Sequence, residues 1–455
     1  MKELNFDVVI LGGGPGGYTA AIRSAQLGLK VGLVEREELG GVCLNWGCIP
    51  TKSLLHAADV MRELESAASL GIEIGKPKFN LKKMVKRSRD VAGQLSGGIS
   101  HLMKKNKIEI FYGDAKLRDK NTVQVEDQVM GCKNIVLATG ASAKNLPHVQ
   151  ADGDLIWEAR AAMTPSFMPK RLLIIGAGAI GVEFASFYRS MGSKVTLIEM
   201  MKQILPSEDN EIAEMAKRSF VEQGVEVLTE TGIESLEKKK SKLVASINGS
   251  EKIFDAAILS VGVDANIEGL GIDKLGVEVK NGFVLVDEYQ QTSVEGIYAI
   301  GDVSGVPCLA HKASHEGTIC AEAIAGELPL PLKKERIPGC TYSYPQIASI
   351  GLTEFAASER GAIKVGRFPL IANGKAVAIN DTEGMIKTIF DEETGELLGA
   401  HMIGPGVTEM IQGFAVAMGL ETTEADLMAT VFPHPTLSEA MHESVLSAFG
   451  RTINF

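Results

Sequence analysis

The sequence predicts an α/β protein that consists of two successive βαβ units followed by a C-terminal α+β region. Two observations support this prediction. First, a strand, a glycine-rich turn, a helix and a second strand follow one another twice in the same order. Second, a connector that contains proline and lysine, residues 329–338, marks a change in composition before the last part of the chain.

The first βαβ unit lies at the N-terminus. Residues 7–11 form an apolar, β-branched run of the kind found in buried parallel strands, a helix is expected over 18–27, and the next strand, 30–34, ends at an acid. A glycine-rich turn lets the backbone approach a pyrophosphate closely, and an acid after the second strand can bind a ribose hydroxyl. The sequence therefore predicts a Rossmann-like dinucleotide site formed by Gly12, Gly14, Gly17 and Glu35.

The second unit repeats this arrangement. Its strands cover 171–175 and 194–198, and Glu199 follows the second strand. The first glycine and the acid are separated by the same interval in both units, 12 to 35 and 176 to 199, which predicts two nucleotide sites. A carboxylate favours a free ribose diol, and two methionines rather than an arginine follow Glu199, so we expect NAD rather than NADP here. The glycines of this second site are Gly176, Gly178 and Gly181.

Two cysteines, Cys43 and Cys48, precede a helix that we expect to begin at Thr51. A thiolate attacks a disulfide, and a helix N-terminus and a nearby cation such as Lys52 lower the pKa of a thiol. The pair is close enough in sequence to close a small ring, so one cysteine could attack a substrate while the other engages a cofactor. Spacing alone leaves two other interpretations open: two buried free cysteines, or half of a metal site.

A histidine between prolines, His434, is the notable residue of the region from 339 to 455, which has no glycine-rich nucleotide turn. Thr436 or Ser438 is expected to cap the helix that carries Glu439. A carboxylate one helical turn away can fix the tautomer of His434 and raise its basicity. Taken alone, a structural role in the turn is the alternative interpretation.

Composition excludes several classes of function. A net charge of −11 and a pI near 5.4 argue against a nucleic-acid or anionic-membrane surface. A basic amphipathic stretch, 79–107, is expected to be a solvated helix packed on the first domain rather than a polyanion site.

The N-terminus passes into a strand without a signal-peptide pattern, which suggests a cytoplasmic protein. We expect no metal site, and four further cysteines are expected to be free and packed: Cys132, Cys308, Cys320 and Cys340.

Together these motifs resemble those of the flavin-dependent pyridine nucleotide:disulfide oxidoreductases over nearly the whole chain, most closely the members that oxidise dihydrolipoamide. The motifs in family order are 43–52, the two glycine fingerprints, Gly301-Asp302, 310–313, Tyr344-Pro345 and 434–439. The resemblance implies two Rossmann-like domains that bind FAD and NAD, plus a C-terminal α+β dimerisation domain. The implied domains are 1–142 for FAD, 143–263 for NAD, 264–334 for a segment that completes the FAD site, and 335–455 for dimerisation.

The resemblance also implies roles for individual residues. Cys48 would be the thiolate that faces the flavin, and Cys43 would exchange with the substrate. His434, oriented by Glu439, would be the base and would act on the disulfide of the partner subunit in a homodimer. Lys52 would lie near the flavin and Asp302 on the ribityl chain, and the full set implied for FAD is Gly12, Gly14, Gly17, Glu35, Lys52, Gly140, Asp302 and Ala310. Glu183 would lie near the nicotinamide and pair with Lys52, and the full set implied for NAD is Gly176, Gly178, Gly181, Glu183, Glu199 and Gly262.

The implied activity is the oxidation of protein-bound dihydrolipoamide to lipoamide with reduction of NAD to NADH. The implied partner is a lipoyl-bearing protein of a 2-oxo acid, glycine cleavage or acetoin dehydrogenase complex. Two alternatives stay open. One is an NADH-dependent reductase of another disulfide on the same scaffold, and the other is a flavoprotein that serves mainly as a docking subunit of a multienzyme complex.

Overall fold

In the computed structural model, residues 4–455 are described, and they form an α/β chain that divides into two compact units. The first unit contains the chain as far as Leu54 together with Asn80–Lys144 and Gly262–Leu332. The second unit contains Leu55–Phe79, Asn145–Val261 and Lys333–Phe455. The α/β class and both βαβ repeats are confirmed, whereas the division into four domains stays a prediction.

The first part of the chain contains the N-terminal βαβ unit and the predicted amphipathic helix. Its elements are β1 (Leu4–Leu11), α1 (Pro15–Gln26), β2 (Val31–Glu35), α2 (Gly41–Trp46), α3 (Cys48–Ser66), a 3-10 helix (Ala67–Leu70), α4 (Leu81–Lys105), β3 (Glu109–Tyr112), β4 (Ala115–Asp119), β5 (Thr122–Val125), β6 (Gln128–Leu137) and β7 (Ala141–Ala143). Helix α4 packs against α1 and α2, as expected from its amphipathic pattern.

The second part contains the repeated unit. Its elements are β8 (Ile156–Trp157), α5 (Ala159–Met163), β9 (Arg171–Ile175), α6 (Ala179–Ser190), β10 (Lys194–Ile198), α7 (Asn210–Glu222), β11 (Glu226–Leu228), β12 (Ser235–Lys239), β13 (Lys242–Ile247), β14 (Ser250–Phe254) and β15 (Ala256–Leu259).

The remaining elements complete the first unit and form the C-terminal region. They are β16 (Val263–Ala265), α8 (Ile272–Leu275), β17 (Val279–Lys280), β18 (Phe283–Val284), β19 (Ile297–Ala299), a 3-10 helix (Gly301–Ser304), α9 (Ala310–Ile324), a 3-10 helix (Lys334–Arg336), β20 (Gly339–Thr341), β21 (Ile347–Gly351), α10 (Glu354–Ser358), β22 (Ile363–Pro369), a 3-10 helix (Leu370–Ala372), α11 (Gly374–Ala378), β23 (Met385–Asp391), β24 (Leu397–Ile403), α12 (Val407–Gly419), α13 (Glu424–Ala429) and α14 (Glu439–Ala448).

The sheet of the first unit has the strand order β3-β2-β1-β6-β5-β4, and β19 also pairs with β6. Strands β2 and β6 run parallel to β1, with Val9 opposite Gly32 and Ile135. Residues 8–11 of β1, all of β2 and residues 135–137 of β6 are buried, as the β-branched sequence of β1 predicts. Because the strands are parallel, the carboxyl ends of β1, β2, β6 and β19 meet at one edge of the sheet, which is where such folds bind ligands.

The second unit contains three sheets. A parallel sheet, β11-β10-β9-β15-β8, repeats the arrangement of the first unit, and β12, β13 and β14 form an antiparallel meander. The C-terminal region is an antiparallel sheet in the order β20-β21-β24-β23-β22, with α12 and α14 packed on it. Among residues 4–455, no helix is both long enough and apolar enough to cross a membrane.

Candidate active site

The first glycine turn follows β1 directly and leads into α1. Gly12 has a φ of +109°, and a Cβ there would lie 2.2 Å from the carbonyl oxygen of Ala138. A Cβ on Gly17 would lie 1.8 Å from the carbonyl oxygen of Gly12. Only glycine therefore fits this tight turn. At Gly14 a Cβ would meet nothing closer than the Cα of Gly41 at 3.9 Å, so this side of the turn has room for the close approach of a pyrophosphate.

The acid at the end of β2 is held over this turn. One carboxylate oxygen of Glu35 accepts a hydrogen bond from the Gly13 N–H at 2.7 Å, and the other accepts one from the Glu37 N–H at 2.8 Å. Glu35 is only 8% exposed. A fixed, desolvated carboxylate beside a glycine turn is the acceptor that recognition of a ribose diol requires, so these residues fit the adenosine half of a dinucleotide.

A second acid, Asp302, lies on the 3-10 helix that follows β19. Burial, opposed by the charge of Lys312, raises the pKa of its carboxyl group. Within residues 4–455 no hydrogen-bond donor contacts this carboxyl group, which is a suitable partner for a ligand hydroxyl. Gly140, which ends the same edge of the sheet, has a φ of +69° and accepts a hydrogen bond from the Asn266 N–H at 2.9 Å.

A buried ion pair that the sequence did not reveal supports the turn of Asp302. The ammonium group of Lys312 donates to the carbonyl oxygens of Gly301 at 3.1 Å and Gly305 at 2.9 Å, and it lies 3.0 Å from the Glu316 carboxylate. Glu316 in turn accepts from the Gly301 N–H at 2.7 Å. The spacing of four residues on α9 was the available signal, but it does not indicate which turn the pair contacts. Ala310 is the first residue of this helix.

The two cysteines lie on adjacent helices, Cys43 in α2 and Cys48 as the first residue of α3. Helix α3 thus begins three residues before the predicted Thr51, and Cys48 occupies its N-terminus. Both cysteines are half-buried, and neither forms a disulfide bond in this structure. A hydrogen bond with Cys48, then burial, raises the pKa of Cys43 well above its usual range, although the charge of Lys52 acts to lower it.

The expectation of a lowered thiol pKa is therefore wrong for Cys43. The physical reason is the proximity of the two sulfur atoms, because a negative charge on one opposes the loss of the proton from the other. The hydrogen-bonded contact between the two sulfur atoms suits a pair that gives up its electrons together. It also supports the redox interpretation over half of a metal site.

The dithiol segment begins directly over the first glycine turn. The Gly40 N–H donates to the carbonyl oxygen of Gly13 at 2.8 Å, and α2 starts at the next residue. A Cβ on Gly41 would lie 2.7 Å from the Cα of Gly14. The dithiol segment therefore passes so close to the turn that position 41 has no room for a side chain. In this way the first unit joins a dinucleotide turn to a reactive pair of thiols.

The second glycine turn repeats the contacts of the first. A Cβ on Gly176 would lie 2.4 Å from the Ser260 carbonyl oxygen, one on Gly181 would lie 2.0 Å from the Gly176 carbonyl oxygen, and one on Gly178 would meet nothing within 4 Å. The Glu199 carboxylate accepts from the Ala177 N–H at 2.7 Å and from the Met201 N–H at 2.9 Å. This geometry fits a second dinucleotide.

Two further residues expected at the second site have defined positions. Glu183 is buried on α6 and accepts a hydrogen bond from the Tyr342 N–H at 3.0 Å. Its expected pairing with Lys52 stays a prediction. Gly262 has a φ of +106° just after β15, and its carbonyl oxygen accepts from the Lys144 N–H at 3.0 Å.

His434 and Glu439 form the expected pair. The Nδ1 atom of His434 lies 2.8 Å from a Glu439 carboxylate oxygen, and the imidazole is 76% exposed. Burial alone would raise the pKa of Glu439, but hydrogen bonds from the Thr436 N–H and from His434 outweigh it and lower the pKa. With Nδ1–H directed at Glu439, the free lone pair is on Nε2, which is the arrangement of a general base.

The predicted side-chain cap of α14 is wrong. Ser438 occupies the N-cap position without a side-chain hydrogen bond, and the Thr436 hydroxyl donates to the Pro433 carbonyl oxygen at 2.8 Å. Instead the backbone N–H of Thr436 donates to the Glu439 carboxylate at 2.8 Å. The same carboxylate thus fixes both the turn and the histidine.

The remaining candidates from the sequence are a metal site and four further cysteines. Within residues 4–455, no group of three His, Cys, Asp or Glu side chains is arranged to hold a metal ion. The four other cysteines form no disulfide bond, as expected, but Cys308 and Cys340 are only half-buried.

Comparison with known proteins defines the class. Residues 6–317 match the pyridine nucleotide-disulphide oxidoreductase family, and residues 337–445 match the dimerisation domain of the same family. The chain belongs to this family.

Individual relatives extend over the full chain. It is 51% identical to a dihydrolipoyl dehydrogenase of Zymomonas mobilis and 50% identical to one of Rhizobium etli, each over 99% of both chains. Among solved structures, LpdA from Mycobacterium tuberculosis superposes with a TM-score of 0.91 at 26% identity, covering 97% of this chain and 99% of that one. The HOCl-induced flavoprotein disulfide reductase RclA of Escherichia coli gives a TM-score of 0.87 at 27% identity, covering 96% and 99%.

Proposed function

We propose that this protein is a dihydrolipoyl dehydrogenase that oxidises protein-bound dihydrolipoamide and reduces NAD to NADH. The observation that carries the proposal is the hydrogen-bonded pair Cys43 and Cys48, placed directly over a dinucleotide-type glycine turn. The full-length similarity to dihydrolipoyl dehydrogenases selects this activity among those of the family.

FAD and NAD are the cofactors. FAD, when bound, supplies the path by which the electron pair of the dithiol reaches NAD. The first glycine turn and Glu35 would hold its adenosine half, with Lys52, Gly140, Asp302 and Ala310 along the rest of the molecule. The NAD site would consist of the second glycine turn, Glu183, Glu199 and Gly262.

The residues of the chain carry out the sulfur chemistry. The Nε2 atom of His434 accepts a proton from one substrate thiol. The resulting thiolate attacks Sγ of Cys43. The Cys43–Cys48 disulfide bond breaks and Cys48 leaves as a thiolate. The second substrate thiol then attacks the substrate-derived sulfur of the mixed disulfide, and its proton passes to the departing Cys43 sulfur. This step releases lipoamide and leaves Cys43 as a thiol and Cys48 as a thiolate, reduced by two electrons.

Glu439 makes this use of His434 possible. It accepts the Nδ1 proton and stabilises the imidazolium that forms when Nε2 gains a proton. The matched dimerisation domain indicates a homodimer, and in it His434 would act on the disulfide of the other subunit. The high exposure of the imidazole is consistent with a role toward a second chain.

The partner of the homodimer would be a lipoyl-bearing protein of a 2-oxo acid, glycine cleavage or acetoin dehydrogenase complex, and the proposal includes a cytoplasmic location. The similarity to RclA favours one alternative, an NADH-dependent reductase of another disulfide. A role mainly as a docking subunit is disfavoured, because the dithiol and the His434–Glu439 pair are both present.

An anaerobic titration tests the proposal. Purified holoenzyme is mixed with dihydrolipoamide, its visible spectrum is recorded, and NAD is added. A long-wavelength thiolate-to-flavin band that disappears as NADH forms is expected. A protein whose flavin responds to NADH but not to dihydrolipoamide would belong to the alternative class, and glutathione and coenzyme A disulfides would then be compared as substrates.

A further inference from the structure

We propose that Arg89 is a positioning residue for the redox pair: helix α4 holds the segment 39–50 in place, and the stack of Arg89 on Trp46 favours closure of the Cys43–Cys48 disulfide. This inference rests on the proposed function, since it concerns the same dithiol. None of the residues involved contributes to the cofactor sites or to the sulfur chemistry described above.

One face of α4 contacts both ends of the dithiol segment. The Ser96 hydroxyl donates to the Leu39 carbonyl oxygen at 2.8 Å, before Cys43. The Ser88 hydroxyl donates to the Pro50 carbonyl oxygen at 3.1 Å, after Cys48. Ser88 and Ser96 are separated by two helical turns, and both contacts are with backbone atoms, so they fix the path of the segment rather than one side chain. We call Ser88, Arg89 and Ser96 the α4 clamp.

Arg89 holds the middle of the segment, between the two cysteines. Its guanidinium carbon lies 3.6 Å from the centroid of the Trp46 ring, which is a close cation–π stack. Its guanidinium group also donates to the carbonyl oxygen of Asn45. Asn45 is itself buried, and its amide donates to the carbonyl oxygens of Leu39 and Gly41 at 3.0 Å. Arg89 is thus connected to the start of α2, which carries Cys43.

The clamp acts differently on the two redox states. When the disulfide is closed, the covalent ring itself limits the movement of residues 43–48. When the pair is reduced, only noncovalent contacts such as those of the α4 clamp keep the two thiols adjacent. Loss of the clamp therefore gives more conformational freedom to the dithiol than to the disulfide. The equilibrium then shifts toward the dithiol, and the pair becomes easier to reduce.

The sign of the shift separates this role from an electrostatic one. If Arg89 acted mainly through its charge, its removal would disfavour a thiolate and hence the reduced form. That effect would make the pair harder to reduce. A positioning role predicts the opposite direction.

The test is a thiol–disulfide equilibrium of the holoenzyme. Wild type and Arg89→Met are equilibrated anaerobically in buffers of reduced and oxidised dithiothreitol, quenched with acid and alkylated. Mass spectrometry of the peptide that contains Cys43 and Cys48 gives the dithiol fraction. We expect the equilibrium constant for disulfide closure to fall about tenfold in Arg89→Met, which corresponds to a potential about 30 mV more positive.

Matched variants make the result specific. Arg87→Met removes the same charge from an exposed position of the same helix and should leave the equilibrium unchanged. Trp46→Leu should reproduce the shift of Arg89→Met, and the double variant should shift no further than either single variant. If Arg89→Met does not retain FAD, the milder variant Ser96→Ala is measured in its place. Its equilibrium constant for disulfide closure is expected to fall about twofold.

An equilibrium within error of wild type in these variants, or a shift toward the disulfide, would overturn the proposal. The measurement uses neither lipoamide nor NAD. A wrong substrate assignment would therefore leave this test intact, and a failed test would leave the assignment intact.

Discussion

The two glycine turns have the same internal contacts, but the segments that pack against them differ. In each, an acid accepts a hydrogen bond from an amide of the turn, Gly13 in the first and Ala177 in the second. The carbonyl oxygens of these same residues accept from a later backbone N–H, Gly40 at 2.8 Å and Leu205 at 2.7 Å. The loop after Gly40 becomes α2 and carries a cysteine, whereas the loop after Leu205 leads to an ordinary capped helix, α7. The segment after the acid, rather than the nucleotide turn, therefore makes one unit reactive.

The two units also differ in exposure. Glu35 is 8% exposed, whereas Glu199 is only partly buried and is followed by Met200, which is 75% exposed. A closed site suits a cofactor that stays bound, and an open site suits one that exchanges at every turnover. The comparison predicts that equivalent substitutions in the two units will have different consequences.

The largest expected effect concerns the feature that only the first unit has. Cys48→Ser should reduce dihydrolipoamide oxidation at least about a thousandfold, because a serine can neither form nor leave from the disulfide. FAD content and reduction of the flavin by NADH should be unchanged. The measurement is steady-state turnover beside a flavin spectrum, with Cys308→Ser as the control. Substantial remaining turnover would mean that another group carries the sulfur chemistry.

An intermediate effect compares the two acids directly. In Glu199→Gln one backbone N–H faces an amide NH₂ instead of an acceptor, so the KM for NADH should rise about tenfold with FAD content unchanged. Glu35→Gln should instead release FAD during purification. KM values and the ratio of flavin to protein absorbance measure the two outcomes, with Glu38→Gln as an exposed control. Equal effects of both substitutions on FAD would contradict the assignment of separate cofactors.

The smallest expected effect is on the free energy of unfolding. In each unit an aspartate near the amino-terminal end of one parallel strand accepts hydrogen bonds from neighbouring segments. Asp255 accepts from the Arg171 N–H at 2.9 Å and from Lys242 at 2.7 Å. Burial alone would raise the pKa of Asp255, but these hydrogen bonds lower it to about 2. In the first unit, contacts of Asp7 with the Lys133 ammonium group and with the Lys30 N–H, each at 2.8 Å, lower the pKa of its carboxyl group, but Asp7 is more exposed than Asp255.

The pH dependence follows from the direction of these shifts. A lowered pKa stabilises the fold above the unfolded value near 3.8, and this stabilisation is lost as the pH falls toward 2. Asp255→Asn should therefore cost about 2 kcal/mol at pH 7 and clearly less at pH 3, and Asp7→Asn should cost less at neutral pH. Urea unfolding midpoints at both pH values measure this. A stability difference between wild type and Asp255→Asn that grows as the pH falls would contradict the lowered pKa of Asp255.

Local sequence determined much of the fold. The β-branched runs of β1 and β9 and the glycines after them were sufficient to place both turns, since a buried parallel strand and a tight turn each have a local signature. The position of His434 next to Glu439 was also predictable, because the two are close in sequence.

Features that depend on distant contacts were not predictable. The α4 clamp joins residues 88–96 to 39–50, and amphipathic spacing shows only that α4 has a buried face. The raised pKa of Cys43 depends on how closely two sulfur atoms approach and how deeply they are buried. The failed cap at Ser438 reflects the tight turn that precedes α14, in which the N–H groups of Ala440 and Met441 donate to the carbonyl oxygens of Leu437 and Ser438.

The hydrogen bond between Glu35 and the Gly13 N–H ties the end of β2 to the turn that follows β1. The acceptor for the ribose and the turn for the pyrophosphate are thus joined to each other by the chain itself. A substitution that removes the carboxylate therefore loosens the turn as well as the ribose contact, so both parts of the recognition of an adenosine diphosphate are lost together.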